Sequence, residues 1–288
     1  MKQQFLVEEG IVVVGGIRVH YSRAGAGPAL VLLHGLVGSA RNWNRNIEFL
    51  AQFRTVYALD SANMGESERV RGLDAGLAAQ ADRLAACMDE LGIDVADVVG
   101  HSHGGAIAMM LAAKYPGRVR RLVLFAPANP FCKLGHAQMR FYRTRLGSWF
   151  ARTVVPLMPR VMHRRALERM YGDPKRIAKG VLEGYTDGLD SSAIEHILAI
   201  MRRWSEDMEL LQAALPDLKG VPMLLFWGDR DRAVGLGSGE ELARRLGAPL
   251  KVVHEAGHLA FEEMPEVCNP LLGEWLFGLP AKQLAHEV

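Results

Sequence analysis

The hydrophobic positions of the chain fall into short runs separated by longer helical patterns. Residues 5 to 24 alternate between apolar and polar side chains around Gly15 and Gly16, which predicts antiparallel strands joined by tight turns. The next run, Ala29 to Leu33, is apolar throughout, as expected for a strand that is covered on both faces. Further strand-like runs follow at 55–59, 97–99, 119–125, 221–227 and 250–253. From residue 29 onwards this pattern predicts a parallel sheet.

Helical patterns separate these strands. One pattern runs from Leu77 to Leu91 and is stopped by Gly92, and an alanine-rich one fills Ala106 to Ala113. Two more are predicted near the end of the chain, at Ser238 to Leu246 and Pro265 to Phe277. Because strands and helices alternate, we expect right-handed crossovers and a doubly wound α/β sheet.

The alternation fails between residues 127 and 216. No strand-like run occurs there, and the short helical patterns are punctuated by glycine and proline. We interpret residues 127–216 as an inserted helical lid. Residues 1–126 and 217–288 are then predicted to form the core.

Composition narrows the class of protein. A chain of 288 residues with 49% hydrophobic and 23% charged residues is expected to fold into one sizeable core plus an insertion. The net charge of +2 argues against a dedicated nucleic-acid binder. The start of the chain lacks the apolar core of a signal peptide and no run is long enough to span a membrane, so a cytoplasmic location is expected. The three cysteines are widely spaced, which fits free thiols.

The most informative motif is the hexapeptide between the strand at 97–99 and the following helix, Gly100-His101-Ser102-His103-Gly104-Gly105. The pattern Gly-x-Ser-x-Gly at a strand-to-helix corner is typical of a nucleophile elbow, which holds a serine hydroxyl out on a strained turn. Taken alone, the motif fits a plain glycine-rich turn equally well.

Other polar residues follow predicted strands, where the functional groups of a doubly wound sheet gather. With this arrangement the chain resembles the α/β-hydrolase superfamily over nearly its whole length. The resemblance rests on five motifs: His34-Gly35, Asp60 to Ser67, Gly100 to Gly105, Gly228 to Asp231, and Ala256 to His258. It implies a mostly parallel, eight-stranded sheet with a helical lid.

The resemblance also implies roles for individual residues. Ser102 would be the nucleophile, His258 the general base and then acid, and Asp231 the orienting carboxylate. The backbone N–H groups of Leu36 and His103 would form the oxyanion hole. In the segment Asp60 to Ser67, Asn63 replaces a glycine of the family pattern, and asparagine tolerates the positive φ that this turn needs.

Alternatives remain open at three points. Asp229 is the rival of Asp231 for the orienting carboxylate. The histidines at 34, 101 and 103 could suggest a metal site, but no carboxylate or cysteine ligands join them, so neither a metal nor a cofactor is expected. A binding module that has lost catalysis is disfavoured because all three triad positions are filled.

The nucleophile narrows the reaction. Relatives resembling haloalkane dehalogenases and epoxide hydrolases carry aspartate at the elbow, and proline iminopeptidase relatives usually have tryptophan where this chain has His103. Hydrolysis of a carboxylic ester is therefore preferred. Thioester hydrolysis and carbon–carbon hydrolysis of aromatic ring-fission products stay open, because the elbow does not separate them. The expected partner is a small-molecule, ester-like substrate.

Charge is unevenly distributed. Residues 131 to 179 hold 12 Lys and Arg against 2 Asp and Glu, a local excess of +10, so the rest of the chain carries 22 basic and 30 acidic residues, or −8. The first lid helices are predicted to be basic and amphipathic, with Arg143 and Arg145 among the basic side chains. The excess fits either a solvated face or a surface that attracts an anionic substrate, an acyl carrier or an anionic lipid interface.

Overall fold

A computed structural model describes residues 5–132, 141–142 and 144–279. In these residues eight strands form one sheet: β1 Glu8–Val14, β2 Ile17–Ala24, β3 Ala29–Leu33, β4 Thr55–Leu59, β5 Ala96–His101, β6 Val119–Phe125, β7 Met223–Gly228 and β8 Leu250–Val253.

The same residues contain ten α-helices: α1 Asn44–Ala51, α2 Leu77–Glu90, α3 His103–Lys114, α4 Arg145–Thr153, α5 Arg160–Glu168, α6 Val181–Thr186, α7 Ser191–Ala214, α8 Leu236–Leu246, α9 Ala260–Glu263 and α10 Pro265–Phe277. Short 3-10 turns lie at Ala40–Trp43, Val155–Leu157, Pro174–Arg176 and Leu215–Leu218. Among the described helices, none has the length and apolar composition needed to cross a membrane.

The strand order across the sheet is β1-β2-β4-β3-β5-β6-β7-β8. β1 and β2 form an antiparallel hairpin that pairs with β4, and every neighbouring pair from β4 to β8 is parallel. The prediction of a mostly parallel, eight-stranded α/β sheet is thus confirmed. The chain passes from β3 to β4 on one side and then to β5 on the other, which opens a crevice between the carboxyl ends of β3 and β5.

Apolar side chains cover both faces of the sheet. In β3, Val31 and Leu33 contact a cluster with helices α2 and α3, whereas Leu30 and Leu32 contact a second cluster with α1 and α10. All four side chains are buried. The continuous apolar run at residues 29 to 33 exists because each face of this strand packs against helices.

The helical segment, defined here as residues 127–216, contains α4 to α7 and no strand in its described part. Ala151 of α4 packs against Ile194 and Leu198 of α7, while the later residue Leu211 of α7 belongs to the core cluster of the sheet. α7 therefore connects the segment to the core. The domain boundaries at 127 and 216 stay a prediction.

Candidate active site

Ser102 lies at the corner between β5 and α3, in the crevice beside β3. Its backbone has φ 51° and ψ −118°, a region that residues other than glycine rarely adopt. The corner is held by backbone hydrogen bonds, since the N–H of Ser102 donates to the Phe125 carbonyl at 3.0 Å and its carbonyl accepts from Ala128 at 2.9 Å. The strained elbow that the motif predicts is therefore present.

Two glycines of the motif are required by close backbone contacts. A Cβ atom on Gly100 would lie 2.7 Å from the carbonyl oxygen of Gly104, and one on Gly104 would lie 2.3 Å from that of His34. Neither contact leaves room for a methyl group. Glycine at both positions lets α3 begin directly beside β5 and the loop that follows β3.

His258 and Asp231 form a buried pair. The Nδ1 atom of His258 lies 2.8 Å from Oδ2 of Asp231, and the two side chains are 8% and 0% exposed. The other carboxylate oxygen, Oδ1, accepts hydrogen bonds from the backbone N–H groups of Ala233 and Val234 at 2.8 and 2.9 Å. Both oxygens of Asp231 are thus held in place, and Oδ2 points at the imidazole.

The rival carboxylate, Asp229, lies in a different environment. Its Oδ2 is 3.0 Å from Nδ1 of His254, whose side chain is 84% exposed, and its Oδ1 accepts from the backbone N–H of Glu255. Asp229 therefore pairs with a solvated histidine at the surface. The structure brings Asp231, and not Asp229, to His258.

The loop that follows β3 passes close to Ser102. A Cβ atom on Gly35 would lie 3.2 Å from Cβ of Ser102, so the backbone leading into Leu36 runs alongside the serine. His103 is the first residue of α3, where N–H groups have no partner inside the helix. Within the described residues, the N–H groups of Leu36 and His103 make no hydrogen bond to a protein acceptor.

The histidines around the elbow have separate partners. Nε2 of His101 lies 3.1 Å from the carbonyl oxygen of His258, and the two rings are 4.6 Å apart. Burial lowers the pKa of His101 well below its usual value, so the ring is neutral and donates from Nε2 to that carbonyl. The ring of His103 contacts Gln80 at 3.2 Å, and burial lowers its pKa to about 3.

His34 has both ring nitrogens in hydrogen bonds with backbone groups. Nδ1 is 2.7 Å from the Gly35 carbonyl, and Nε2 accepts from the N–H of Ser61 at 3.0 Å. The residues that the structure describes contain no cluster of three or more His, Cys, Asp or Glu suited to a metal ion. His34, His101 and His103 thus each form hydrogen bonds with neighbouring backbone or side-chain groups.

A cavity of about 340 Å³ joins these groups. Ser102, His101 and His258 lie on its wall together with the loop from Gly35 to Gly38. The opposite wall comes from the helical segment and is mainly apolar: Ala166, Leu167, Met170, Leu182, Tyr185 and Leu189. Neither Lys nor Arg is among the described residues that line it.

The sequence predicts a helical lid over residues 127–216 but does not identify the residues of this second wall. His163, Ala166, Leu167 and Met170 have the spacing of one helical face, but that pattern does not say what the face covers. Tyr185 carries no sequence signal of its position either. Its hydroxyl donates to Oε2 of Glu262 at 2.6 Å, and no sequence signal joins two residues 77 positions apart.

Comparisons with known proteins show the family of the chain. A family model described as the alpha/beta hydrolase fold matches residues 28–265. The dihydrolipoyllysine-residue acetyltransferase component of an acetoin cleaving system from Cupriavidus necator is 32% identical over 276 residues, which cover 92% of this chain and 68% of that protein. A 2-hydroxy-6-oxo-2,4-heptadienoate hydrolase from Pseudomonas putida is 27% identical over 252 residues, covering 86% of this chain and 88% of that protein.

A solved structure shares the fold. The 2-hydroxy-6-oxo-6-phenylhexa-2,4-dienoate hydrolase from Rhodococcus sp. strain RHA1 superimposes with a TM-score of 0.77 at 23% identity, over 95% of this chain and 99% of that one. The prediction of a hydrolase on this fold is confirmed at the level of the family. Since the family model matches well over half of its residues, the chain belongs to the alpha/beta hydrolase family.

Proposed function

We propose that the protein is a serine hydrolase that cleaves a carboxylic ester through an acyl-enzyme. Ser102 is the nucleophile, His258 the general base and then acid, and Asp231 the orienting carboxylate. The observation that carries the proposal is the buried pair of His258 and Asp231 at 2.8 Å, in which His258 lines the same cavity as Ser102.

In the first half of the proposed reaction, Ser102 Oγ attacks the ester carbonyl carbon while Nε2 of His258 takes the hydroxyl proton. The carbonyl oxygen becomes an oxyanion that accepts hydrogen bonds from the N–H groups of Leu36 and His103. When the tetrahedral intermediate collapses, the C–O bond to the alcohol breaks and His258 returns the proton to the leaving oxygen. Water then repeats the sequence on the acyl-enzyme and releases the acid.

Two neighbours support His258 in this scheme. Asp231 keeps the proton of the neutral ring on Nδ1, so that Nε2 is free to accept the proton from serine. His101 donates from Nε2 to the backbone carbonyl of His258 and packs against its ring. Because His101 stays neutral, it adds no positive charge that would oppose protonation of His258 during the reaction.

The cavity supports a neutral acyl group of small or medium size. Its volume of about 340 Å³ suits a short chain, and its far wall is apolar. A ring-fission dienoate carries a carboxylate, which needs a cation or several donors when it is buried. Among the described lining residues there is no Lys or Arg to provide the cation.

Carbon–carbon hydrolysis is the second candidate. It is favoured by the similarity to the 2-hydroxy-6-oxo-2,4-heptadienoate hydrolase, which extends over 86% of this chain. Thioester hydrolysis is a further alternative with the same acyl-enzyme chemistry.

Kinetics on two substrates separate the two main candidates. We expect kcat/KM for p-nitrophenyl butyrate to exceed that for 2-hydroxy-6-oxo-2,4-heptadienoate by at least tenfold, because an unpaired buried carboxylate is penalised by more than about 1.4 kcal/mol. The Ser102→Ala variant serves as the control for background hydrolysis of each compound. A larger kcat/KM on the dienoate would replace ester hydrolysis by carbon–carbon hydrolysis.

A further inference from the structure

The outer face of the helical segment exposes an unusual number of large apolar side chains. Of the thirteen such side chains in the described residues, six lie between residues 141 and 162. We define the outer apolar patch by five of them, from α4, the following 3-10 turn and α5: Leu146 (66% exposed), Trp149 (54%), Leu157 (83%), Val161 (56%) and Met162 (45%). Concentration of this kind marks an interaction surface, whereas isolated exposed apolar residues do not.

Packing explains why these side chains face outward. α4 turns Ala151 towards α7, which leaves Leu146 and Trp149 on its opposite side. α5 turns His163 and Leu167 towards the catalytic cavity. α5 therefore carries both a cavity-lining face, with His163 and Leu167, and an exposed apolar face, with Val161 and Met162.

Exposed arginines lie on the same two helices as the patch. Arg145 lies in the first turn of α4, and Arg160, Arg164 and Arg165 lie on α5, all with exposed side chains. Within the described part of the chain, Arg164 has an acidic partner, Glu168, whereas Arg145, Arg160 and Arg165 have none within 4 Å. Residues 133–140 and Arg143, which add to the local excess of +10, lie outside the described residues.

We propose that this face of the helical segment docks onto an anionic lipid surface. Apolar side chains flanked by cations are what an interfacial helix uses, because the apolar groups enter the acyl boundary while the arginines meet the headgroups. The charge is complementary to anionic headgroups, with +10 in residues 131–179 against −8 in the rest of the chain. Docking places the cavity wall formed by α5 at the lipid interface. This proposal does not depend on which bond the enzyme cleaves.

Vesicle flotation tests the docking directly. The full chain is mixed with vesicles of phosphatidylcholine alone, or of phosphatidylcholine and phosphatidylglycerol in equal parts. We expect flotation with the anionic vesicles only, and loss of binding as salt rises from about 0.05 M to about 0.5 M, because exposed charges are screened. A blue shift of tryptophan emission that is absent in Trp149→Phe places that side chain in the lipid.

Paired variants test the residues. Arg160→Gln with Arg165→Gln is expected to weaken vesicle binding about 30-fold, since each cation near an anionic surface contributes about 1 kcal/mol. Trp149→Ser with Leu157→Ser should abolish flotation. The control is Val13→Ser with Val95→Ser, which removes exposed apolar side chains outside the patch and should leave binding unchanged. An unchanged circular dichroism spectrum and an unchanged thermal midpoint show that each variant is folded.

Three results would overturn the proposal. The first is equal flotation with both kinds of vesicle or with neither. The second is equal binding by the patch variants and the Val13/Val95 control. The third is a concentration-dependent dimer that Trp149→Ser with Leu157→Ser dissociates, seen by light scattering, because the patch would then be an interface between two copies.

Discussion

The carboxylate of Asp231 is fixed by three donors, and this makes its role testable by a small change. Asn in its place keeps the shape of the side chain but removes the charge and presents one N–H₂ group. If the N–H₂ group faces His258, the imidazole is driven into the tautomer that cannot accept the serine proton. Asp229 has the same chemistry at an exposed position, which provides a matched comparison.

Asp231→Asn is expected to lower kcat for p-nitrophenyl butyrate by about 10²- to 10⁴-fold, whereas Asp229→Asn should change it by less than about threefold. Steady-state kinetics at neutral pH measure both values, and circular dichroism shows that both variants are folded. A greater loss in Asp229→Asn would move the orienting carboxylate to that residue.

Buried histidines link the stability of the fold to pH. Burial lowers the pKa of His103 to about 3 and that of His196 to about 4, and it also lowers the pKa of His34. In the unfolded chain these rings titrate near 6.5. Between those values the unfolded state binds protons that the folded state does not, so each such ring removes stability as pH falls below about 6.5.

The free energy of unfolding should therefore depend less steeply on pH in His103→Gln than in the unsubstituted protein. Between about pH 6 and pH 4 the slope should decrease by up to about 1.4 kcal/mol per pH unit, which corresponds to one proton. Urea denaturation at a series of pH values measures it. A slope in His103→Gln equal to that of the unsubstituted protein would contradict the buried, neutral state of His103.

At the scale of elements, the start of α3 is determined by the close approach of its backbone to two others, that of β5 and that of the end of β3 with the loop that follows it. Sequence periodicity predicts this helix from Ala106, but the structure begins it at His103, immediately after Ser102. The apolar pattern of the helix does not extend into its first turn, because that turn begins with a histidine and two glycines, His103 to Gly105. Close packing of Gly104 against the backbone of residues 33 and 34 is what positions it.

Gly104→Ala is expected to destabilise the protein by about 1 to 3 kcal/mol, because its Cβ would lie 2.3 Å from a backbone oxygen that cannot move aside cheaply. Gly237→Ala in α8 is the matched control, since nothing lies within 4 Å of the added Cβ. The control should be neutral or stabilising by up to about 1 kcal/mol, as alanine favours a helix over glycine. Equal urea midpoints for the two variants would show that α3 can shift without loss.

The sequence predicts those elements whose limits are set by their own hydrophobic pattern or by a turn residue. Strands β6 and β8 and helix α10 have the predicted limits, and Asn63 has the positive φ of 68° that its place in the turn requires. What pattern analysis misses depends on contacts between distant segments. The hydrogen bond from His101 to the His258 carbonyl spans 157 residues, and the pairing of Tyr185 with Glu262 spans 77.

Burial changes the acidity of Glu262, the partner of Tyr185. It raises the pKa of Glu262 to about 7, although the hydrogen bond from the Tyr185 hydroxyl acts to lower that pKa. From the sequence alone, a Glu at this position is expected on the exposed surface of a helix, because no neighbouring residue indicates that α6 covers it. The side chains that shape the cavity opposite Ser102 are hidden from sequence analysis for the same reason.

At the scale of the whole molecule, the sheet brings together groups from four separate parts of the chain. Leu36 follows β3, Ser102 follows β5, Asp231 follows β7 and His258 follows β8, and all lie at the carboxyl edge of the parallel strands. Residues of the helical segment form the opposite wall of the cavity, and the N–H of His258 donates to the Met170 carbonyl at 2.7 Å. The proposed chemistry thus depends on the complete fold.

Covalent labelling of Ser102 tests the central claim most directly. The protein is treated with a p-nitrophenyl alkylphosphonate, in which attack by an activated serine forms a P–O bond and releases p-nitrophenolate, and the digested product is read by mass spectrometry. We predict one adduct per chain, on the peptide that carries Ser102, with activity lost in proportion to labelling. Ser102→Ala should remain unlabelled and lose about 10³- to 10⁶-fold in kcat. Full inhibition with the adduct on another residue, or full activity in Ser102→Ala, would contradict the account.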